Sequence, residues 1–148
     1  MAAVRRPVLL VAALVLVGAL AACGGSDGSS GASSETQIKN AYVTFFSGKT
    51  PLAQRLALLQ NSTKFKPVFD SFANNPLARN TSATVRSVRL QGPDDRKAKV
   101  VFSVKIAGTA LPQQTGSAVL QNGKWKVADS SICQLVALGG ATPSVCKP

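Results

Sequence analysis

The sequence predicts an α+β domain, with N-terminal helices packed on a curved antiparallel sheet of about four strands. Three observations carry that expectation. Ile38, Ala41, Tyr42, Phe45 and Phe46 recur at helical spacing. The period then shortens, and Lys97 to Ala107 alternates. Ala98, Val100, Phe102, Val104 and Ile106 face one way; Lys97, Lys99, Val101, Ser103 and Lys105 face the other. Between two further short runs stands Asn122-Gly123, the strongest short hairpin signal. Helices first and antiparallel strands afterwards is the α+β order.

Taken from the start, Arg5 and Arg6 precede an apolar run from Val8 to Ala22. A spanning helix needs about 20 apolar residues, and this run is shorter. A basic flank, a short apolar stretch and a small-residue end describe a secretory signal over residues 1–22. Leu20-Ala21-Ala22-Cys23 is similar to the bacterial lipoprotein box, in which small side chains suit a protease groove and the Cys thiol takes a diacylglyceryl group. Cys23 is therefore the expected lipidation site and the first residue of the mature chain. Each buried methylene contributes roughly 0.8 kcal/mol, so two or three acyl chains anchor stably where one does not. Gly24 to Ser34, GGSDGSSGASS, cannot bury enough apolar surface to order itself and reads as a flexible tether. The single folded domain is expected over residues 35–148.

Within that domain, Ser34 and Gln37 form an S-x-x-Q capping pattern ahead of the first helix, and Gly48 ends it. Thr50-Pro51 opens a second helix, with Leu52, Leu56 and Leu59 on its face and Leu58 widening it. Asn61-Ser62 is a break. A third helical stretch runs from about Pro67 to Ala73, with Val68, Phe69 and Phe72 as its apolar side, and Asn74-Asn75-Pro76 stops it. Thr81 to Leu90 reads as a strand whose alternation slips near Ser87, the mark of a bulge. Residues 91–95 form a turn. Gly116 to Gln121 and Lys124 to Ala128 are the last two strands. Their two-residue loop pairs Leu120 with Trp125, Val119 with Lys126 and Ala118 with Val127. This order resembles the cone of the NTF2-like proteins, named for nuclear transport factor 2. A cystatin-like fold, one helix wrapped by a sheet, is the alternative, and three helical segments favour the first.

Composition narrows the function. The 148 residues hold 17 Lys plus Arg, 6 Asp plus Glu, three Cys and no His. Without His there is no His-based triad and no imidazole acid or base. Loss of residues 1–22 removes Arg5 and Arg6, leaving 15 basic against 6 acidic residues, a formal +9. Export places the chain in an oxidising compartment. With Cys23 acylated, Cys133 and Cys146 have one intramolecular pairing open to them, a disulfide holding the C-terminal tail. Two thiols without His do not make a metal site. No Gly-rich phosphate loop or nucleophile elbow is present, and no cofactor is implied.

The lipobox, the tether, the helical first half, the hairpin Asn122-Gly123-Lys124-Trp125-Lys126-Val127 and the tail from Cys133-Gln134-Leu135 to Pro143 and Cys146 together resemble the low-molecular-weight secreted antigen family of mycobacteria and related actinomycetes. The resemblance covers about Thr36 to Cys146. It implies an exported cell-envelope or culture-filtrate protein and supplies no catalytic residues. Some members lack a lipobox Cys, so the anchor is implied by Cys23 and not by the family.

Three candidate sites remain. NTF2-like enzymes place a Tyr and an acid inside the cone, and Tyr42 and Asp70 are the available pair; their positions read better as a core ring and a solvated helix face. Asp94 and Asp95 are explained by their turn. Arg86, Arg89, Lys97, Lys99, Lys105, Lys124 and Lys126 are expected on the sheet face opposite the apolar one. Tethered near a membrane, that face could meet anionic lipid or an anionic wall polymer. The same residues also serve as a solvated face that blocks edge pairing. Nucleic acid is excluded by compartment and by the few aromatics among the cations. Phe45, Phe46, Phe65, Phe69, Phe72 and Trp125 could line an apolar-ligand pocket or fill a core. The expectation is a lipid-anchored, non-catalytic binding or accessory protein on the outer face of the cytoplasmic membrane, with an apolar-ligand carrier as the alternative.

Overall fold

A computed structural model describes residues 29–147. Cys23 and the predicted signal segment lie outside these residues. Helix α1 spans Ser29–Phe46, α2 Leu52–Ala57, α3 Ser62–Phe72 and α4 Pro76–Arg79. Strands β1 Thr81–Gln91, β2 Lys97–Ile106, β3 Thr109–Ala110, β4 Gln114–Gln121 and β5 Lys124–Val127 follow, then α5 Asp129–Leu138 and a 3-10 turn Ser144–Cys146. The sheet order is β1-β2-β4-β5, antiparallel throughout, with β3 paired to the end of β2. The α+β expectation holds: helices precede a strongly curled antiparallel sheet that forms a half-barrel.

The curl wraps α1, which packs against both edge strands, β1 and β5. Its stripe Ile38, Tyr42, Phe45 and Phe46 is buried against Ala98, Val100, Phe102, Ala118, Trp125 and Val127. The rings interlock: Tyr42 and Phe102 meet edge to face at 5.0 Å, and Phe46 stacks on Phe102 at 5.3 Å. Such contacts add to area burial. Phe45, Phe46, Phe65 and Trp125 thus fill the concave side as core, and Phe69 packs against them. Phe72, expected on the apolar side of the third helix, is 47% exposed. Phe65 replaces it, because α3 begins at Ser62 and not near Pro67, which turns Phe65 inward.

Turn chemistry explains the strand registers. Asn122 and Gly123 both take positive φ, 53° and 72°, as a two-residue hairpin of matching twist requires. The pairs Leu120–Trp125, Val119–Lys126 and Ala118–Val127 form as expected. The register between β1 and β2 shifts between Val85 and Ser87, so the bulge falls on Arg86. One exposed edge is covered: the α2–α3 joint runs beside β5, with Gln60 N donating to Val127 O and Val127 N to Leu58 O. This removes a free ladder that could template aggregation.

Four local expectations need correction. Helix α1 starts at Ser29, so Ser34 lies inside it and forms no N-terminal cap, and residues 29–34 of the expected tether are helical. Asn75 does not simply stop α3; its side chain accepts from Leu77 N at 2.9 Å and caps α4. Strand β2 ends at Ile106, because Ala107 takes positive φ in the turn to β3. Helix α5 was not expected at all, since the segment after β5 read as a tail. Its register is set by a buried polar knot. Ser131 Oγ accepts from Ser117 N at 2.7 Å, and Tyr42 OH donates to Ser117 O at 2.7 Å. Gly116 leaves the room, since a Cβ there would lie 2.8 Å from both hydroxyls.

Candidate anionic-surface interface

The seven cations predicted on the outer sheet face divide in the fold. Register places Lys99 across from Arg89 on one side and Ser117 on the other. Lys97 and Lys126 flank Val119 across the sheet, and Lys124 lies opposite Gln121 in the next outward row. Arg89, Lys97, Lys99, Lys124 and Lys126 therefore gather at one end of the outer face. Arg96, which the sequence reading passed over, sits in the adjoining turn beside Lys97; that adjacency was the available signal. Arg86 occupies the bulge. Lys105 is at the far end of β2, about 20 Å from Lys99 at roughly 3.3 Å per residue. It stands opposite Ser82 and does not belong to the cluster.

The cluster is electrostatically one-sided. None of the five strands carries an acidic residue. Two ion pairs occur among the described residues, Glu35–Lys39 and Asp70–Lys66, both on helices. Asp94 and Asp95 lie in the β1–β2 turn at the same end, and Asp94 accepts from Arg96 N at 3.5 Å. Arg89 directly opposite Lys99 is an unfavourable like-charge pair. A shallow hollow of about 260 Å³ lies between them, floored by Ser87 and Val101. Neither Arg89 nor Lys99 has an ion-pair partner among the described residues, so an anion that settles there lowers the repulsion.

Other candidate residues are dispersed. Tyr42 is fully buried, and burial pushes its phenol up to about 12, the Ser131 hydrogen bond pulling the other way. Asp70 is exposed on α3 and held by Lys66 at 2.7 Å. The two do not share a site. Arg55 donates from Nε to Phe45 O at 2.8 Å and lies over the Phe45 and Phe69 rings. It ties α2 to the core, and burial lowers its pKa. Cys133 and Cys146 form the expected disulfide, which pins the 3-10 turn to α5. Among the described residues no group of three or more His, Cys, Asp or Glu is placed to hold a metal ion. No helix among them is long and apolar enough to cross a membrane.

The elements define a small disulfide-tied half-barrel with a packed concave side and a basic convex one. The chain belongs to the low molecular weight antigen MTB12 family, whose C-terminal-domain model matches residues 31–143. That family is secreted or envelope-associated. No curated protein matches the chain.

Proposed function

We propose that this protein is a cell-envelope lipoprotein, anchored through acylated Cys23, whose domain has a non-catalytic binding role at an anionic surface. The carrying observation is the clustering of Arg89, Lys97, Lys99, Lys124 and Lys126 on a convex face whose strands hold no acidic residue. The anchor is supported by the order of basic flank, short apolar run, lipobox and Gly/Ser segment. Near an anionic leaflet each such cation contributes about 1 kcal/mol, so the acyl chains set location and the face sets orientation. The surface it meets is lipid headgroup or an acidic wall polymer. The interlocked rings on the concave side weigh against the apolar-carrier reading, because those rings fill the space such a ligand would take.

Two measurements test this reading. Wild type should enter the detergent phase on phase partitioning and Cys23→Ala the aqueous phase; equal aqueous partitioning removes the anchor. The chain from residue 24 should sediment with anionic vesicles at low salt and not with neutral ones. Binding that ignores lipid charge and salt removes the cationic face.

A further inference from the structure

At the other end of the β1–β2 hairpin, three segments distant in sequence close around a cleft of about 600 Å³: residues 47–49, 79–82 and 107–108. Backbone hydrogen bonds build it. Gly48 N donates to Thr81 O at 3.0 Å, and Ala107 N donates to Asn80 O at 2.8 Å. Gly48 is what lets the first turn come so close, since a Cβ there would fall on the backbone of Ala78 and Arg79. That approach sets Lys49 and Arg79 on one cleft. Neither side chain has an ion-pair or hydrogen-bond partner among the described residues, and no acidic residue lines the cleft. Asn80 and Ser82 add uncommitted polar side chains to the wall. Ala107 and Gly108, both at positive φ, form the two-residue turn between Ile106 and Thr109 that bounds this side of the cleft. Lys105, excluded from the outer cluster, stands across from Ser82 at this rim.

We infer that this cleft binds a phosphate ester of a sugar or polyol, the phosphate on Lys49 and Arg79 and the hydroxyls on Asn80 and Ser82. A planar guanidinium and an ammonium suit phosphate oxygens, and charge-assisted contacts to them are the strong ones. The depression is open to solvent and has room for a ligand larger than bare phosphate. The group can come from a free sugar phosphate or wall polymer, or from a phospholipid headgroup. The site lies about 30 Å along the hairpin from the cluster used above and does not rest on that reading.

The test is a titration of the isotope-labelled full chain in neutral detergent, followed by amide shifts. The probes are glucose 1-phosphate, inorganic phosphate, glucose, and phosphatidylinositol mixed into the detergent micelles. Glucose 1-phosphate should shift residues 47–49, 79–82 and 107–108, with half-saturation at about 1 mM. Inorganic phosphate should bind more weakly and glucose not at all. Arg79→Gln or Lys49→Gln should each weaken it about tenfold. Both positions are exposed, so the fold should survive, and unchanged amide dispersion checks that. Lys64→Gln, an exposed cation on α3 outside both sites, should leave it unchanged. Shifts at these residues with the micellar lipid but not with the free ester assign the headgroup source; the reverse assigns the soluble one. No shift at these residues with any phosphate probe, or shifts that Arg79→Gln leaves intact, overturns the proposal.

Discussion

On the concave side of β2, Ala98, Val100, Phe102 and Val104 are buried against α1 and the neighbouring strands. One residue along the same strand, Lys97, Lys99 and Lys105 stand in solvent. The alternation that makes one face a core makes the other a surface with no packing duty. A side chain on the first face answers to its neighbours' shapes. One on the second answers to whatever lies outside the molecule. Function is therefore sought on the convex face and at the hairpin ends, and stability on the concave face.

This contrast can be broken or sharpened by substitution. Phe102→Ala should have the largest effect, about 4 kcal/mol by chemical denaturation, because it removes the ring between Tyr42 and Phe46. Reduction of Cys133–Cys146, or Cys146→Ser, should remove about 3 kcal/mol and loosen α5 first. Gly116→Ala should cost about 2 kcal/mol, since the added methyl meets Ser131, Tyr42 and Phe102 at 3.0 Å or less.

Tyr42→Phe should cost about 1 kcal/mol at neutral pH. Its clearer signature is at high pH. The native phenol titrates near 12 against an ordinary 10.0, so the unfolded chain loses that proton first. The stability this proton provides is complete below pH 10 and falls as pH rises toward 12, by about 2 to 3 kcal/mol. Tyr42 is the only tyrosine, so tyrosinate absorbance reads it directly. A midpoint near 10 in the folded protein would show that the ring is not buried. Smallest of all, Lys99→Gln should change stability by less than about 0.5 kcal/mol, and toward stabilisation, because it relieves Arg89. A large loss there would collapse the distinction between the two faces.

Legibility in the sequence followed the range of the interactions. The β2 alternation, the Asn122-Gly123 register and the slip near Ser87, which the fold places one residue earlier at Arg86, were readable because each is decided by residues close in the chain. Helix α5 was not, because its placement depends on Ser131 reaching Ser117 and Tyr42, and no local pattern announces that knot. Asn74-Asn75-Pro76 read as a stop because a cap and a break use the same residue types. The cationic face was readable as an alternation but not as a cluster. Register and strand length decide that Lys97 and Lys126 share a row while Lys105 stands at the other end.

The α+β order, the hairpin register and the absence of imidazole chemistry were set by the sequence alone. These follow from periodicity, turn stereochemistry and composition, which need no knowledge of distant neighbours. That the aromatic residues form a filled core, and that Lys49 and Arg79 line one cleft, depends on the tertiary structure. Those outcomes depend on the curl of the sheet around α1 and on backbone contacts between segments far apart in the chain. No short-range rule carries that information.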